Sequence, residues 1–294
     1  MSKKDAVVNH NQANSSEIEL SFFMQTIKQK LLQKGISDPS EAEWLVALCL
    51  NTKRNNLVLI KTISKKQFKF INQVLRKRLK GMPLTHIFKS AEFYGLDFYV
   101  NKNVLTPRPE TELLVEKVID YAKQNHCKIV LDLCTGSGAI AVAVKKKLPS
   151  LEVYASDISS KALKIATKNA KNNKVLIQFT KSNLFEKLKK DLVYDMIVSN
   201  PPYISRQEVK KLDKEVKGYD PKLALEAGED GLDFYKQIAS LAPNFLQTNG
   251  KLFLEIGYNQ AQSVKTLLEK NFKDIQIIKD YHDIQRIITA VKKD

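Results

Sequence analysis

Val130-Leu131-Asp132-Leu133-Cys134-Thr135-Gly136-Ser137-Gly138 reads as an apolar strand, a turn of small residues and the opening of a helix. The helix is expected over residues 138–147, and the strand over 128–133. Working outward, the same alternation repeats. A strand fits 152–156 and a helix runs from Ser159 to about Lys171. Strands follow at 175–180, 194–199 and 251–256. Helices fit 230–245 and 260–271, and 274–279 and 284–291 close the chain as strands. Strands alternating with helices predict an α/β domain: a parallel sheet with helices on both faces.

Small residues after the first strand let the backbone approach a ligand closely at the strand's carboxyl end. A dinucleotide site would prefer G-x-G-x-x-G, and Ala141 at the third position is a permitted variant. Asp132 is unusual beside nucleotide phosphates, which a carboxylate repels. It suits a cationic ligand better, such as a sulfonium carrying an amino acid. Asp157 ends the next strand, 19 residues beyond Gly138. A carboxylate there accepts from two ribose hydroxyls; its other reading is the N-cap of the helix opening at Ser159. Turn and carboxylate together point to a Rossmann-like nucleoside site.

Asn200-Pro201-Pro202-Tyr203 follows the buried run 195–199, and its strand end faces the same crevice as the Gly136 turn. Two prolines stiffen the segment and remove two backbone donors, leaving carbonyls free to accept. The Asn200 side-chain oxygen and the Pro201 carbonyl can hold both hydrogens of an NH2 group, and Tyr203 offers a flat face to a planar substrate. An amide or aniline-like nitrogen has its lone pair delocalised. Acceptors on its hydrogens draw density back to nitrogen and align it for methyl transfer, a matter of positioning and preorganised dipoles. A plain proline-rich turn is the competing reading of the tetrapeptide.

The chain has 294 residues, a formal net charge of +16, three cysteines and four histidines. No cysteine pair has CxxC spacing and no two histidines have ligand spacing, which argues against a disulfide framework and a metal site. Cys49 reads as a core residue. The longest apolar run, 44–50, is too short to span a bilayer. The polar start lacks the apolar core of a secretory signal, so a cytoplasmic protein with a loose tail is expected. Residues 1–103 carry 17 Lys/Arg against 8 Asp/Glu, densest at Arg76-Lys77-Arg78 and Lys80. Such a surface suits RNA or the ribosome; a bias toward lysine along the whole chain is the alternative. Residues 17–80 read as helices, with Asp38-Pro39 and Ser64/Gln67 as helix starts. Around Gly95, Phe93, Tyr94, Phe98, Tyr99 and Val100 suggest a β-hairpin.

Leu105-Thr106-Pro107-Arg108-Pro109-Glu110-Thr111-Glu112, residues 131–138, 198–204 and 228–232, and Leu254-Glu255-Ile256-Gly257 together resemble the HemK/PrmC release factor glutamine methyltransferases. The likeness runs through most of the chain, and the PRPETE segment is more specific than NPPY. It implies a Rossmann-like seven-stranded class I methyltransferase domain over 105–294. Ahead of it would lie a disordered tail (1–16), a small helical substrate-recognition domain (17–83) and a β-hairpin linker (84–104). It implies S-adenosyl-L-methionine as cofactor, held by Cys134, Thr135, Gly136, Ser137, Gly138, Asp157, Leu184 and Asn200. By the same likeness, Asn200, Pro201, Pro202 and Tyr203 hold and activate the glutamine of the GGQ motif of peptide chain release factors.

The chain departs from the family in four places. Cys134 stands for the first glycine of the turn, and Lys89-Ser90 for a glycine near the hairpin. Asn183-Leu184 stands where an acidic and often an aromatic residue meet adenine, which implies altered cofactor affinity. Residues 279–286 lack a usual glycine. Arg108 and Glu110 read equally as site residues and as a helix start with Pro109 in first position. Two other functions compete: N6-adenine methylation of DNA or RNA on a flipped base, and a non-catalytic RNA- or ribosome-binding protein.

Overall fold

The structure is a computed structural model that describes residues 17–294; the tail expected over 1–16 lies outside them. The chain divides into two compact units between Phe88 and Lys89.

In the first unit, β1 (Glu17–Glu19) precedes α1 (Leu20–Gln33), α2 (Glu41–Leu50), a 3-10 turn (Arg54–Leu59), β2 (Thr62–Ser64), α3 (Lys65–Leu79) and α4 (Leu84–Phe88). The helices form where apolar residues share one stripe. Leu20, Phe23, Ile27 and Leu31 on α1 meet Leu45 and Val46 of α2 and Ile71, Val74 and Leu75 of α3 in one core. Ser64 opens α3 as expected, in a full capping box with Gln67. Three details differ from the sequence reading. α2 begins at Glu41, because the Asp38 carboxylate accepts from both the N–H and the hydroxyl of Ser40 (2.8 Å each) and holds a turn before the helix. β1 and β2 pair antiparallel, Glu17 opposite Ser64; three-residue strands are too short to display an alternation. Residues 84–88, assigned to the hairpin stretch, are helical.

The second unit opens with the hairpin β3 (Ser90–Phe93) and β4 (Leu96–Tyr99). Its turn, Tyr94-Gly95, has φ of 53° and 71°, the left-handed pair that a two-residue hairpin loop requires. Then come α5 (Pro109–Gln124), β5 (Ile129–Leu133), α6 (Ala139–Lys147), β6 (Glu152–Asp157), α7 (Ser160–Asn172), β7 (Gln178–Lys181) and β8 (Tyr194–Ser199). After two short helices, α8 (Arg206–Val209) and α9 (Lys214–Tyr219), the chain closes with α10 (Asp233–Leu241), β9 (Leu246–Glu255), α11 (Ala261–Leu268), β10 (Phe272–Lys279) and β11 (Gln285–Lys292).

Seven strands form one sheet in the order β10-β11-β9-β8-β5-β6-β7. The pairs from β9 to β7 are parallel, whereas β11 runs antiparallel to both of its neighbours. The sheet is therefore mixed rather than wholly parallel. Strand direction leaves no mark on an apolar run, so the sequence reading could not find it. Side chains alternate across the sheet. Val130, Val153, Met196 and Val198 enter a core shared with α5, α6, α7 and the hairpin. Leu131, Leu133, Ile197 and Leu252 enter a second core with α10 and α11. Strands buried on both faces read as near-continuous apolar runs, which is why β5 and β8 were legible.

The chain leaves β5 toward β6 and β7, then returns to β8 on the other side of β5. This reversal of strand order opens a crevice at the carboxyl ends of β5 and β8. The Ser199 hydroxyl donates to the Leu133 carbonyl (2.8 Å) and ties the two strand ends together there.

Candidate active site

A cleft of about 230 Å³ sits at this crevice. Its wall includes Cys134, Thr135, Gly136, Ser137, Asp157, Leu184, Asn200 and Pro202. Three site residues expected from sequence do not line this wall. Gly138 is behind the turn, where a Cβ would stand 3.1 Å from that of Ala166; it lets α6 pack on α7. Pro201 is buried beside the wall. Tyr203 packs against the second core, and burial pushes its phenol up to about 12.

The turn is built from buried polar groups. Asp132 lies on the face of β5 that meets α6, opposite Leu131 and Leu133. Its Oδ2 accepts from the Thr135 hydroxyl (2.6 Å) and the Ala141 N–H (3.2 Å), while its Oδ1 is buried without a partner. Burial pushes this carboxyl up to about 7. Asp132 thus pins the turn to the start of α6. It does not reach the cleft wall, contrary to the expectation that it meets a cationic ligand. Asp157 occupies the last position of β6. Its Oδ2 accepts from the Gly136 N–H (2.9 Å) and its Oδ1 from the Ser159 N–H (2.8 Å). Burial raises its pKa, and the two N–H groups oppose that rise. Ser159, not Asp157, caps α7, accepting from Ala162 N–H. A carboxylate has about four acceptor sites, so Asp157 keeps capacity for two hydroxyls in the cleft. Burial also raises the Cys134 thiol, which disfavours a nucleophilic role.

Three residues in the stretches where the resemblance leads one to expect a glycine share one backbone feature. Cys134 has φ 59°, Lys89 has φ 54°, and Asp283, within 279–286, has φ 63°. At each, the left-handed conformation persists on a residue with a Cβ, at a cost of about 1–2 kcal/mol. Leu184 is also left-handed, φ 45°, and buried in the cleft wall. Beside it the Asn183 amide donates to Glu186 (2.6 Å), which leaves its oxygen as the group able to meet an adenine amine.

Arg108, Thr111 and Glu112 each hold a hydrogen-bond partner, whereas Glu110 is exposed. The Arg108 guanidinium donates to Asp220 (2.7 Å) and joins α5 to the segment after α9, whose Pro221, Leu223 and Ala224 form part of the cleft wall. Arg108 is also the N-cap residue of α5, with Pro109 in first position, as the helix-start reading expects. Glu110 faces Tyr203 and Glu255 electrostatically. The Thr111 hydroxyl donates to Glu255 Oε2 (2.6 Å) and accepts from Asn200 Nδ2 (3.2 Å). The Glu112 carboxylate accepts from Tyr94 N–H (2.7 Å), which anchors the hairpin turn.

Two further residues knit the site and were missed from sequence. Gln260 donates to the carbonyls of Tyr203 (2.8 Å) and Gly231 (3.2 Å) and accepts from Gly257 N–H (3.0 Å). It binds the end of the tetrapeptide to two loops; a Cβ on Gly231 would stand 2.6 Å from the Tyr203 carbonyl. Asn169, fully buried on α7, donates to Tyr99 O (3.0 Å) and Ser137 O (2.9 Å) and accepts from Tyr99 N–H (2.8 Å). Asn169→Ala orphans these backbone groups. The expected loss is about 3 kcal/mol, read as a lower urea midpoint at unchanged slope. An unaltered midpoint would contradict this role.

Among the described residues, no group of three His, Cys, Asp or Glu is placed to hold a metal ion, and no helix is long and apolar enough to cross a membrane.

Comparison with known proteins agrees with this architecture. The methyltransferase small domain family model matches residues 109–215, and the PrmC N-terminal domain model matches residues 24–88. A release factor glutamine methyltransferase of Fusobacterium nucleatum is 41% identical over 282 residues, spanning 94% of this chain and 79% of that protein. One of Lactococcus lactis is 37% identical over 265 residues, spanning 89% and 97%. Among solved structures, the hMettl16 catalytic domain in complex with a MAT2A 3'UTR hairpin aligns at TM-score 0.53 and 17% identity, covering 68% of this chain and 77% of that one. A methyltransferase from Pyrococcus furiosus aligns at 0.50 and 17%, covering 69% and 91%. At such identities the structural likeness speaks for the fold alone.

Proposed function

We propose that this chain, which belongs to the family of release factor glutamine methyltransferases, transfers a methyl group from S-adenosylmethionine to the side-chain amide nitrogen (N5) of the glutamine in the GGQ motif of peptide chain release factors. What supports this most is the meeting on one cleft wall of Asn200 and Pro202 with Asp157 and the Cys134–Ser137 turn. The donor set fits the cofactor. Asp157 has acceptor capacity for two ribose hydroxyls, Leu184 and Ile158 offer apolar surface to adenine, and the small-residue turn admits close backbone contact. Cys134 through Ser137, Leu184 and Asn200 complete the cofactor's surroundings, and Gly138 supports the turn from behind. When bound, S-adenosylmethionine supplies an electrophilic methyl on a sulfonium.

Asn200 Oδ1 and the Pro201 carbonyl accept the two hydrogens of the substrate amide. Hydrogen bonds that strengthen as positive charge develops on nitrogen favour the transition state over the ground state. They also hold the amide in line, which converts a diffusive encounter into an oriented one. Pro202 keeps the segment rigid, and Tyr203 backs it from the core side. The helical segment 17–83, within the first unit, serves recognition of the release factor. Its exposed Arg76, Lys77 and Lys80 suit RNA or the ribosome nearby, and the reaction belongs in the cytoplasm, where translation ends. An adenine target would use the same tetrapeptide, but the match of residues 24–88 to the PrmC N-terminal domain favours the protein substrate.

The test is label transfer. The protein is incubated with radiolabelled S-adenosylmethionine and, separately, a release factor, its variant with alanine for the GGQ glutamine, and nucleic acid. Label is expected on the wild-type factor alone. Label on adenine with the factor unlabelled would overturn the proposal.

A further inference from the structure

One buried carboxyl takes no part in the mechanism above. Glu255 ends β9 in an otherwise apolar run, Leu252-Phe253-Leu254, and is 4% exposed. Thr111, also 4% exposed, bonds to both Glu255 and Asn200, and the Asn200 amide also reaches the Glu255 carboxylate, which a donor NH2 alone can satisfy. The Thr111 hydroxyl has a single proton. At 2.6 Å that proton goes to Glu255 Oε2, so Thr111 can offer Asn200 only a lone pair. The half of the Asn200 amide that faces Thr111 must then be its NH2, as the 3.2 Å contact has it. The other half, Oδ1, is left for the cleft. A flipped amide would present donors to the donors of a substrate NH2 and hold nothing.

We infer that Thr111 and Glu255 are positioning residues which fix the polarity of the Asn200 amide, so that its oxygen and not its nitrogen meets the substrate. The inference rests on the reading of Asn200 as the acceptor for the substrate amide.

The relay has a direction only while Glu255 is ionised. A protonated Glu255 would donate to Thr111, free the threonine proton for Asn200 Oδ1, and turn the amide round. The groups facing Glu255 set how easily this happens. Burial raises its pKa to about 7; the nearby Glu110 raises it too, while Thr111, Asn200 and the Arg286 cation lower it. Tyr203 adjoins it from the tetrapeptide, and the Tyr235 hydroxyl donates to its backbone carbonyl (2.8 Å). The carboxylate form gains with rising pH, so kcat should fall on the acid side of about pH 7, approaching tenfold per unit well below it.

Four variants test this, each first checked for cofactor binding as evidence of an intact fold. Thr111→Val removes the hydroxyl at constant shape; it should lower kcat by about 100-fold, leave cofactor Kd within about twofold, and shift the acid limb. Thr111→Ser restores the hydroxyl and should recover most of the rate together with the position of the limb. Glu255→Gln should give a slow rate without the limb. A Thr111→Val enzyme with wild-type kcat and an unshifted limb overturns the inference, as does equal damage from Val and Ser. Asn200→Ala separates the two levels. If it turns over normally, the reading of Asn200 itself fails; if it is inactive while Thr111→Val is fully active, only the relay fails.

Discussion

Asn200→Ala is expected to lower kcat by about 10²–10³-fold, equivalent to about 3–4 kcal/mol of transition-state stabilisation, with little change in cofactor affinity. The deletion takes away the oxygen that accepts from the substrate amide. It leaves the main structure of the site alone. The Thr111 hydroxyl stays bonded to Glu255, Ser199 still ties β8 to β5, and Gln260 still holds the carbonyl of Tyr203. Stability should therefore change little. A loss confined to kcat, with cofactor Kd and urea midpoint near wild type, is the signature of an interaction made in the transition state. A loss that appears only in cofactor binding would assign Asn200 to the cofactor side instead.

Asp157→Ala should act in the opposite way. Two hydroxyl hydrogen bonds to a carboxylate, at about 1.5 kcal/mol or more each, convert to about a 100-fold weaker cofactor Kd. Titration calorimetry reads this directly. At saturating cofactor, kcat should recover much of its value. The variant also strips an acceptor from the N–H groups of Gly136 and Ser159, so the turn loosens. Asp157→Asn keeps one oxygen and should fall between the wild type and alanine. Equal Kd in Asp157→Ala and wild type would remove Asp157 from the site.

The parts of the site legible in sequence share a physical property: each is contiguous with the end of a buried strand. An apolar run that stops at Cys134-Thr135-Gly136, another that stops at Asp157, and a third that stops at Asn200 all announce themselves locally. The reversal of strand order then brings them together without further instruction. What holds them in place was not legible, because its partners are remote. Thr111 and Glu255 are 144 residues apart, Asn200 and Thr111 are 89 apart, and Asn169 and Tyr99 are 70 apart. No local periodicity connects such pairs. Thr111 and Glu255 both stand in segments that carry the family resemblance, but the one physical signal for Glu255 is a lone carboxylate in the apolar run 252–256.

Asp132 carried a different lesson. The alternation along β5 already separates it from Leu131 and Leu133 and turns it toward α6, where it fastens the turn rather than a ligand. Cys134, Lys89 and Asp283 are left-handed although each carries a Cβ. That conformation was not visible in the residues now standing there.

The chemistry proposed for Asn200-Pro201-Pro202-Tyr203 makes a commitment about one atom. After incubation with S-adenosylmethionine and a release factor, tandem mass spectrometry of the peptide that contains GGQ tests it most directly. A single added methyl on the glutamine side chain, formed about 10²–10³-fold more slowly when Asn200→Ala replaces the wild-type enzyme, is the predicted result. An unmodified glutamine, or a methyl on another residue of the factor, would contradict it.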